Sequence, residues 1–393
     1  MDLISPAVAG HHRRVGYIAA RIGQAMALGS RDLADLLFAG MLHDAGAFSL
    51  KSRLDALDFD TQEQAHAEVG ARLLSCCPIL AGLSEVVRRH HTHWSECRLE
   101  DRSEREALLG NVLHCADRVD AAVLRGGREE ALRLIGGIPP GTWFAPYVVQ
   151  AFADAASSSA FWEGFAEVDR DASALSDIPF HNQALGLESI SEFSEAVSYI
   201  IDFRSRFTAT HSKGVSAAAG KLAALAGMSS EDARWITVAG DLHDLGKLGV
   251  SKNILEKPGP LTREERAIIM RHPEDTVRAL SCAPELAQIT RWAGNHHESI
   301  NGDGYPAGLS GADLDLGSRI VAVADVFTAV AEDRPYREGM SRSQALDVLH
   351  SMAKHAKLDK DVVGLLSDNY EALDHTRRGA QEKALAIFQE FCG

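Results

Sequence analysis

The sequence predicts an all-α protein of two tandem helical-bundle domains, and three observations carry that prediction. Apolar residues recur at helical rather than alternating spacing, and strand signals are poor throughout. Ala, Leu and Val dominate a chain that is 46% hydrophobic but only 6% aromatic, a composition that favours helices. A series of histidines and aspartates in the first half also returns in the same order about 200 residues later, a period too long for a solenoid and suited to a duplicated domain. The 393 residues allow each copy an ordinary core. The expected limits are 1–165 for the first domain, 166–188 for a linker and 189–393 for the second domain.

In chain order, His11 opens a helix with Val15, Ile18 and Ile22 on one face. A second helical run from Leu33 to Leu42 ends in His43-Asp44-Ala45-Gly46. His66 follows, then the pair His90-His91, then Ala116-Asp117 inside an apolar helical run. Ala166 to Leu187 shows scattered Asp and Ser with Pro179 and no periodicity, which reads as a linker. Ser189 with Glu192 looks like a capping box starting the next helix. His211 then opens a helix with Val215, Leu222 and Leu225 on its face, and Trp235 to Gly240 leads into Asp241-Leu242-His243-Asp244-Leu245-Gly246-Lys247. Thr262 and Glu265 form a second capping box. Pro273 cannot continue that helix, so His272 is expected at a break. His296-His297 follow, and Asp325 sits in the last apolar run.

The intervals match as well as the order. In each copy 32 positions separate the opening histidine from the His-Asp pair, and 24 separate the third histidine from the His-His pair. Taken singly, a histidine on an amphipathic helix is an ordinary core residue. Asp325 is harder to dismiss, because a carboxylate among Val321, Ala324, Val326 and Phe327 is costly to bury without a partner. Seven nitrogen and oxygen ligands repeated in order point to metal, and this donor set suits Fe, Mn, Zn or Ni. Lys247 adds a cation for a phosphate oxygen.

These residues resemble an HD-GYP domain, a subgroup of the HD-superfamily metal phosphohydrolases that degrades cyclic dinucleotides. His243-Asp244-Leu245-Gly246-Lys247 matches its HDxGK motif. Asn295-His296-His297-Glu298 with Gly302-Asp303-Gly304-Tyr305-Pro306 matches HHE…GxGYP. Arg319-Ile320 through Asp325 and Asp333-Arg334-Pro335-Tyr336-Arg337 match RI…AD…DRPYR, and Lys257 to Thr262 matches a further family loop. The resemblance spans about Ser189 to Ser367. It implies metal ligation by His211, His243, Asp244, His272, His296, His297 and Asp325, with Asp244 bridging two divalent ions, Fe or Mn. It also implies that Lys247 binds the scissile phosphate, that Arg334 and Arg337 bind phosphate or guanine, and that Gly304, Tyr305 and Pro306 shape the recognition loop. Some members hold a third metal through a glutamate one turn before the first histidine; Phe207 stands there, which implies two ions. Asn301 replaces a frequent Asp, and Thr276 a frequent Gly.

The first copy is similar to an HD domain that keeps His11, His43, Asp44, His66, His90, His91 and Asp117 but loses the recognition parts. Ala47 stands where Lys247 does, and Thr92-His93-Trp94 follows His91 in place of a Gly-Tyr-Pro loop. A regulatory or structural role is expected, packed on the second copy as a pseudo-dimer, with metal binding left open. The resemblance implies hydrolysis of cyclic di-GMP to pGpG or onward to GMP. The alternatives are 3′,3′-cGAMP as substrate, or a non-catalytic receptor signalling through the first domain; Lys247 and the full ligand set favour the enzyme.

A net charge of −15 argues against DNA, RNA or a membrane surface as partner, leaving local cations and metals to hold a phosphate ligand. A homodimer or a signalling protein remains a candidate partner. The six cysteines show no zinc-finger spacing and read as reduced thiols. With no export signal and no apolar run near the roughly 20 residues that span a bilayer, the expected location is cytoplasmic.

Overall fold

A computed structural model describes residues 10–47, 63–97, 104–169, 172–176, 178, 185–203, 210–333 and 338–392. They fall into two compact units that divide between Ala184 and Leu185. Among the described residues the regular structure is helical, with only an isolated bridge between Asn301 and Ser310. The all-α expectation holds.

The first unit comprises α1 (His11–Ala25), α2 (Ser30–Leu42), α3 (Glu63–Ser75), α4 (Ser84–Arg88), α5 (Arg105–Gly137), α6 (Pro146–Ala156) and α7 (Ser159–Glu167). Val15, Ile18 and Ile22 are fully buried, as the helical spacing requires. α5 supplies Leu109, Val112, Leu113, Ala116 and Val119 to the same core. It is broken at Gly126 and Gly127, and Gly127 takes a φ of 74°, which only glycine adopts without strain. Part of the stretch read as linker is packed: Val168, Leu175 and Ile178 are buried in this core.

The second unit comprises α8 (Leu187–Asp202), α9 (His211–Leu225), α10 (Ser230–Leu242), α11 (Lys252–Leu255), α12 (Arg263–Met270), α13 (His272–Leu280), α14 (Ala287–Gly294), α15 (Leu316–Ala331), α16 (Arg342–Lys354), α17 (Lys360–Asp368) and α18 (Tyr370–Cys392). α8 starts at Leu187, not at Ser189. The Ile190 amide already donates to the Gly186 carbonyl, so Ser189 lies inside the helix and caps nothing. The capping box at Thr262 and Glu265 forms as expected. α12 ends at Met270 and α13 opens with His272-Pro273, so proline takes a first-turn position where no amide is needed. α9, α10 and α15 pack Val215, Leu222, Ile236, Ile320 and Phe327 into one core. No described helix is long and apolar enough to cross a membrane.

Candidate metal centre and active site

The local sequence explains how the second unit brings its candidate ligands together. α9 and α10 cross closely: a Cβ on Gly240 would stand 2.6 Å from Ser216 Cα, so only glycine fits. α10 stops at Leu242, which releases His243 and Asp244 into a turn. Gly246 is pressed against the start of α13, where a Cβ would lie 1.9 Å from the His272 carbonyl oxygen. Thr276 ties the two together. Its hydroxyl donates to the His243 carbonyl at 3.1 Å and accepts from the Gly246 amide at 2.9 Å.

Three imidazoles are oriented alike. Nδ1 of His243 lies 2.7 Å from the Gly240 carbonyl, that of His272 2.7 Å from Ile269, and that of His296 2.6 Å from Ala293. A carbonyl can only accept, so each Nδ1 carries the proton and each Nε2 presents a lone pair inward. His211 is held differently, with both carboxylate oxygens of Glu332 3.2 Å from its Nδ1. Glu332 in turn accepts from Gln381 of α18 at 3.0 Å.

The seven expected ligands converge as two halves. In one, His211 Nε2 lies 3.1 Å and His243 Nε2 4.0 Å from Asp325 Oδ1, and His243 Nε2 is 3.3 Å from Asp244 Oδ2. In the other, His272, His296 and His297 gather, with the Nε2 atoms of the first two 3.1 Å apart. Asp244 joins them: its Oδ1 lies 3.3 Å from His272 Nε2 and 3.9 Å from His296 Nε2. His243 Nε2 and Asp244 Oδ1 are buried with no hydrogen bond of good geometry. Buried polar atoms in that state call for an unseen partner. Five imidazoles and two carboxylates so arranged fit divalent first-row metal ions, with Asp244 shared between the halves.

The electrostatics agree. Burial opposes charge on Asp244, yet His243 and Lys247 hold it well below the usual carboxylate range. Burial also opposes charge on Asp325, which His211 keeps low. Burial brings the His297 imidazole down to about 4, so it offers a neutral nitrogen at physiological pH. His211 is the exception: burial works against its charge, but Glu332 and Asp325 outweigh it and push it up to about 10. A metal ion that takes His211 as a ligand would therefore displace a proton from it at neutral pH. Apparent metal affinity is expected to rise with pH, about tenfold per unit for this one proton, levelling off near the raised value. Glu332→Gln should level off at lower pH and bind metal about 10–100-fold more weakly on its plateau, as removal of such a supporting carboxylate does. Titrating metal into both proteins across pH checks this; an unchanged profile removes Glu332 from the account.

On the substrate side, the half-buried Lys247 ammonium donates to Asp244 Oδ2, beside the centre. The loop of Gly304, Tyr305 and Pro306 lies next to it. Tyr305 packs against His297 with ring centres 4.8 Å apart and the planes tilted by 32°, and its amide donates to the His297 carbonyl at 3.1 Å. Glu298 braces the loop by accepting from the amides of Ala307 at 2.7 Å and Leu309 at 2.9 Å. Asn301, at the loop's edge, bonds Asp303 and the His355 carbonyl. Arg334, Arg337 and Phe207 lie outside the described residues. Sequence reasoning missed Glu332, which precedes a motif without belonging to it, and saw Thr276 only as a departure.

The first unit assembles the same constellation. His43 Nδ1 meets the Gly40 carbonyl at 2.8 Å, and His66, His90 and His91 cluster, with His66 Nε2 3.3 Å from His90 Nε2 and 3.1 Å from His91 Nε2. His11, His43 and Asp117 form the other half around Asp44. The surroundings differ. Arg118 donates to Asp117 Oδ2 from Nε at 3.1 Å, and Asp120 rather than a glutamate supports His11 Nδ1 at 2.7 Å.

An all-helical domain that gathers five histidines and two aspartates with a lysine on the shared carboxylate defines a metal-dependent phosphohydrolase of the HD type. Two HD domain family models match the chain, at residues 195–362 and 8–122. The 3′3′-cGAMP-specific phosphodiesterase 1 of Vibrio cholerae is 33% identical over 376 residues, covering 91% of this chain and 86% of that protein. Phosphodiesterase 3 of the same name and organism is 28% identical over 93% of both. The cyclic di-GMP phosphodiesterase response regulator RpfG of Xanthomonas campestris is 38% identical, over 42% of this chain and 43% of its own. The crystal structure of the V. cholerae cyclic GMP-AMP-specific phosphodiesterase V-cGAP3 shares the fold, with a TM-score of 0.63 at 24% identity over 92% of both chains. The chain belongs to the HD-GYP-type cyclic-dinucleotide phosphodiesterases and carries two HD domains.

Proposed function

We propose that residues 189–393 form the catalytic domain and hydrolyse 3′,3′-cGAMP to a linear dinucleotide, while residues 1–165 serve a regulatory or structural role. Two divalent ions, Fe or Mn, would be held by His211, His243, Asp325 and one oxygen of Asp244, and by His272, His296, His297 and the other. The single observation that carries the reading is the position of Asp244, one oxygen facing each half. Such a pair of ions supplies hydroxide at neutral pH and neutralises charge on the phosphoryl group.

The chain's own residues do the rest. Lys247 stands on the shared carboxylate, placed to neutralise charge that grows on a phosphoryl oxygen as the bond to the ribose 3′ oxygen breaks. Tyr305, backed by His297, offers a ring face to a base, and Glu298 fixes the loop that carries it. Arg334 and Arg337 are assigned to ligand phosphate or guanine.

The choice of 3′,3′-cGAMP reverses the sequence-based preference for cyclic di-GMP. It rests on the relatives of that name, which span both units, whereas RpfG matches less than half of the chain. Cyclic di-GMP is the second reading, supported by the cyclic di-GMP phosphodiesterases among the relatives. The test is hydrolysis of each dinucleotide by metal-loaded protein, with products separated by chromatography. Faster turnover of 3′,3′-cGAMP is expected. Preferred turnover of cyclic di-GMP would move the assignment, and cleavage of neither would leave a receptor. We place the protein in the cytoplasm on its substrate class.

A further inference from the structure

We propose that the first unit holds one divalent metal ion between His11, His12, His43, Asp44 and Asp117, as a site closed by protein ligands that binds metal and does not hydrolyse. His12 is the residue that distinguishes it. The position that matches it in the second unit is Ser212, which is spent on Asp202: its hydroxyl and amide both donate to that carboxylate at 2.8 Å. His12 instead points into the centre, 4% exposed, with Nε2 3.7 Å from Asp44 Oδ2. The matching oxygen of Asp244 is the one Lys247 occupies. Ala47, fully buried, offers nothing there. An imidazole has therefore taken the place of the ammonium.

The distances fit an ion better than hydrogen bonds. His11 Nε2 lies 3.4 Å from Asp117 Oδ1 and 3.9 Å from Asp44 Oδ2, while His43 Nε2 lies 3.8 Å from Asp117 Oδ1 and 3.6 Å from Asp44 Oδ1. Most are too long for a hydrogen bond. Two ligands each about 2.1 Å from one ion at a tetrahedral angle stand about 3.4 Å apart. Asp44 Oδ1 is buried with no hydrogen bond of good geometry, a second sign of a missing partner. The orientation is also fixed from behind: His11 Nδ1 rests on Asp120, itself gripped by Arg14 Nε at 2.6 Å, and His43 Nδ1 on the Gly40 carbonyl.

Arg118 limits the site to one ion. Its guanidinium is 1% exposed and takes Asp117 Oδ2, whereas the equivalent oxygen of Asp325 faces His297 at 3.9 Å. A cation held on Asp117 Oδ2 denies that oxygen to a second dication on the side of His66, His90 and His91. With His12 as ligand and Arg118 across the carboxylate, no open position remains for a phosphate, which is the mark of a structural rather than a catalytic metal site. The ligands come from α1, the end of α2 and α5, so the ion staples three helices.

The test uses the full chain with the second centre dismantled by His243→Ala, Asp244→Ala and His296→Ala, loaded with Zn²⁺ and freed of excess metal. One equivalent of Zn²⁺ is expected to remain and to raise the unfolding temperature. Adding His12→Asn should weaken Zn²⁺ at least tenfold in competition with a chelator. His12→Asp, which keeps a ligand in nearly the same volume, should restore most of the affinity, and His93→Ala should change nothing. Circular dichroism confirms folding in each. No retained zinc, two equivalents, or equal affinity in His12→Asn and the parent would each overturn the proposal.

Discussion

Asp244→Ala is expected to strip the second unit of metal and to bring cyclic-dinucleotide hydrolysis down to the buffer rate. The size of the effect follows from geometry. Asp244 stands between the halves of the centre, with Oδ2 toward His243 and Oδ1 toward His272 and His296. Without it each half keeps three ligands, and the link between them is gone. Its charge also balances the ammonium of Lys247 and the neighbouring imidazoles, so the variant leaves cations facing one another where dications must bind. Metal content and turnover measured on the same preparation check this, with folding confirmed by circular dichroism. Metal lost without activity, or activity lost without metal, would mean that Asp244 does not bridge.

Lys247→Ala is expected to separate chemistry from metal binding. The lysine contacts the shared carboxylate but is not itself a metal ligand, and its contact with Asp244 outweighs burial to keep its pKa raised, so it remains an ammonium. Its removal should leave metal content unchanged. Turnover should fall about 10²–10³-fold, the usual consequence of deleting one preorganised donor aimed at developing charge. The Michaelis constant should move less than kcat, because the charge on the phosphoryl oxygens grows mainly in the transition state. An unaltered kcat in metal-replete Lys247→Ala would remove the lysine from the chemistry.

The candidate ligands are legible in the sequence because chemistry limits metal donors to a few residue types and duplication fixes their spacing. His211, His243, Asp244, His272, His296, His297 and Asp325 follow from the motifs and their spacing, and the structure brings them together. The glycines of the shared motif acquire their reason only in three dimensions, where Gly240 meets Ser216 and Gly246 meets the His272 carbonyl. What stayed hidden works through a neighbour. Glu332 acts on His211 across 121 positions, a contact without sequence periodicity. His12 and Arg118 escaped because they align with Ser212 and Val326, so the repeat that revealed the ligands concealed the differences. Ser189 misled for a local reason: a capping-box pattern needs a free helix start, and α8 had already begun at Leu187. The packing of Val168, Leu175 and Ile178 was invisible because isolated apolar residues in a polar stretch carry no period.

The central claim is that the second unit performs all of the hydrolysis while the first unit keeps a metal-type constellation without turnover. The most direct measurement compares two double variants under saturating metal, His43→Ala/Asp44→Ala and His243→Ala/Asp244→Ala, with product chromatography on 3′,3′-cGAMP and cyclic di-GMP. The first variant is predicted to retain hydrolysis, with stability or regulation altered, and the second to show none above a buffer control. Hydrolysis surviving in His243→Ala/Asp244→Ala and lost in His43→Ala/Asp44→Ala would place the chemistry in the first unit and contradict the account.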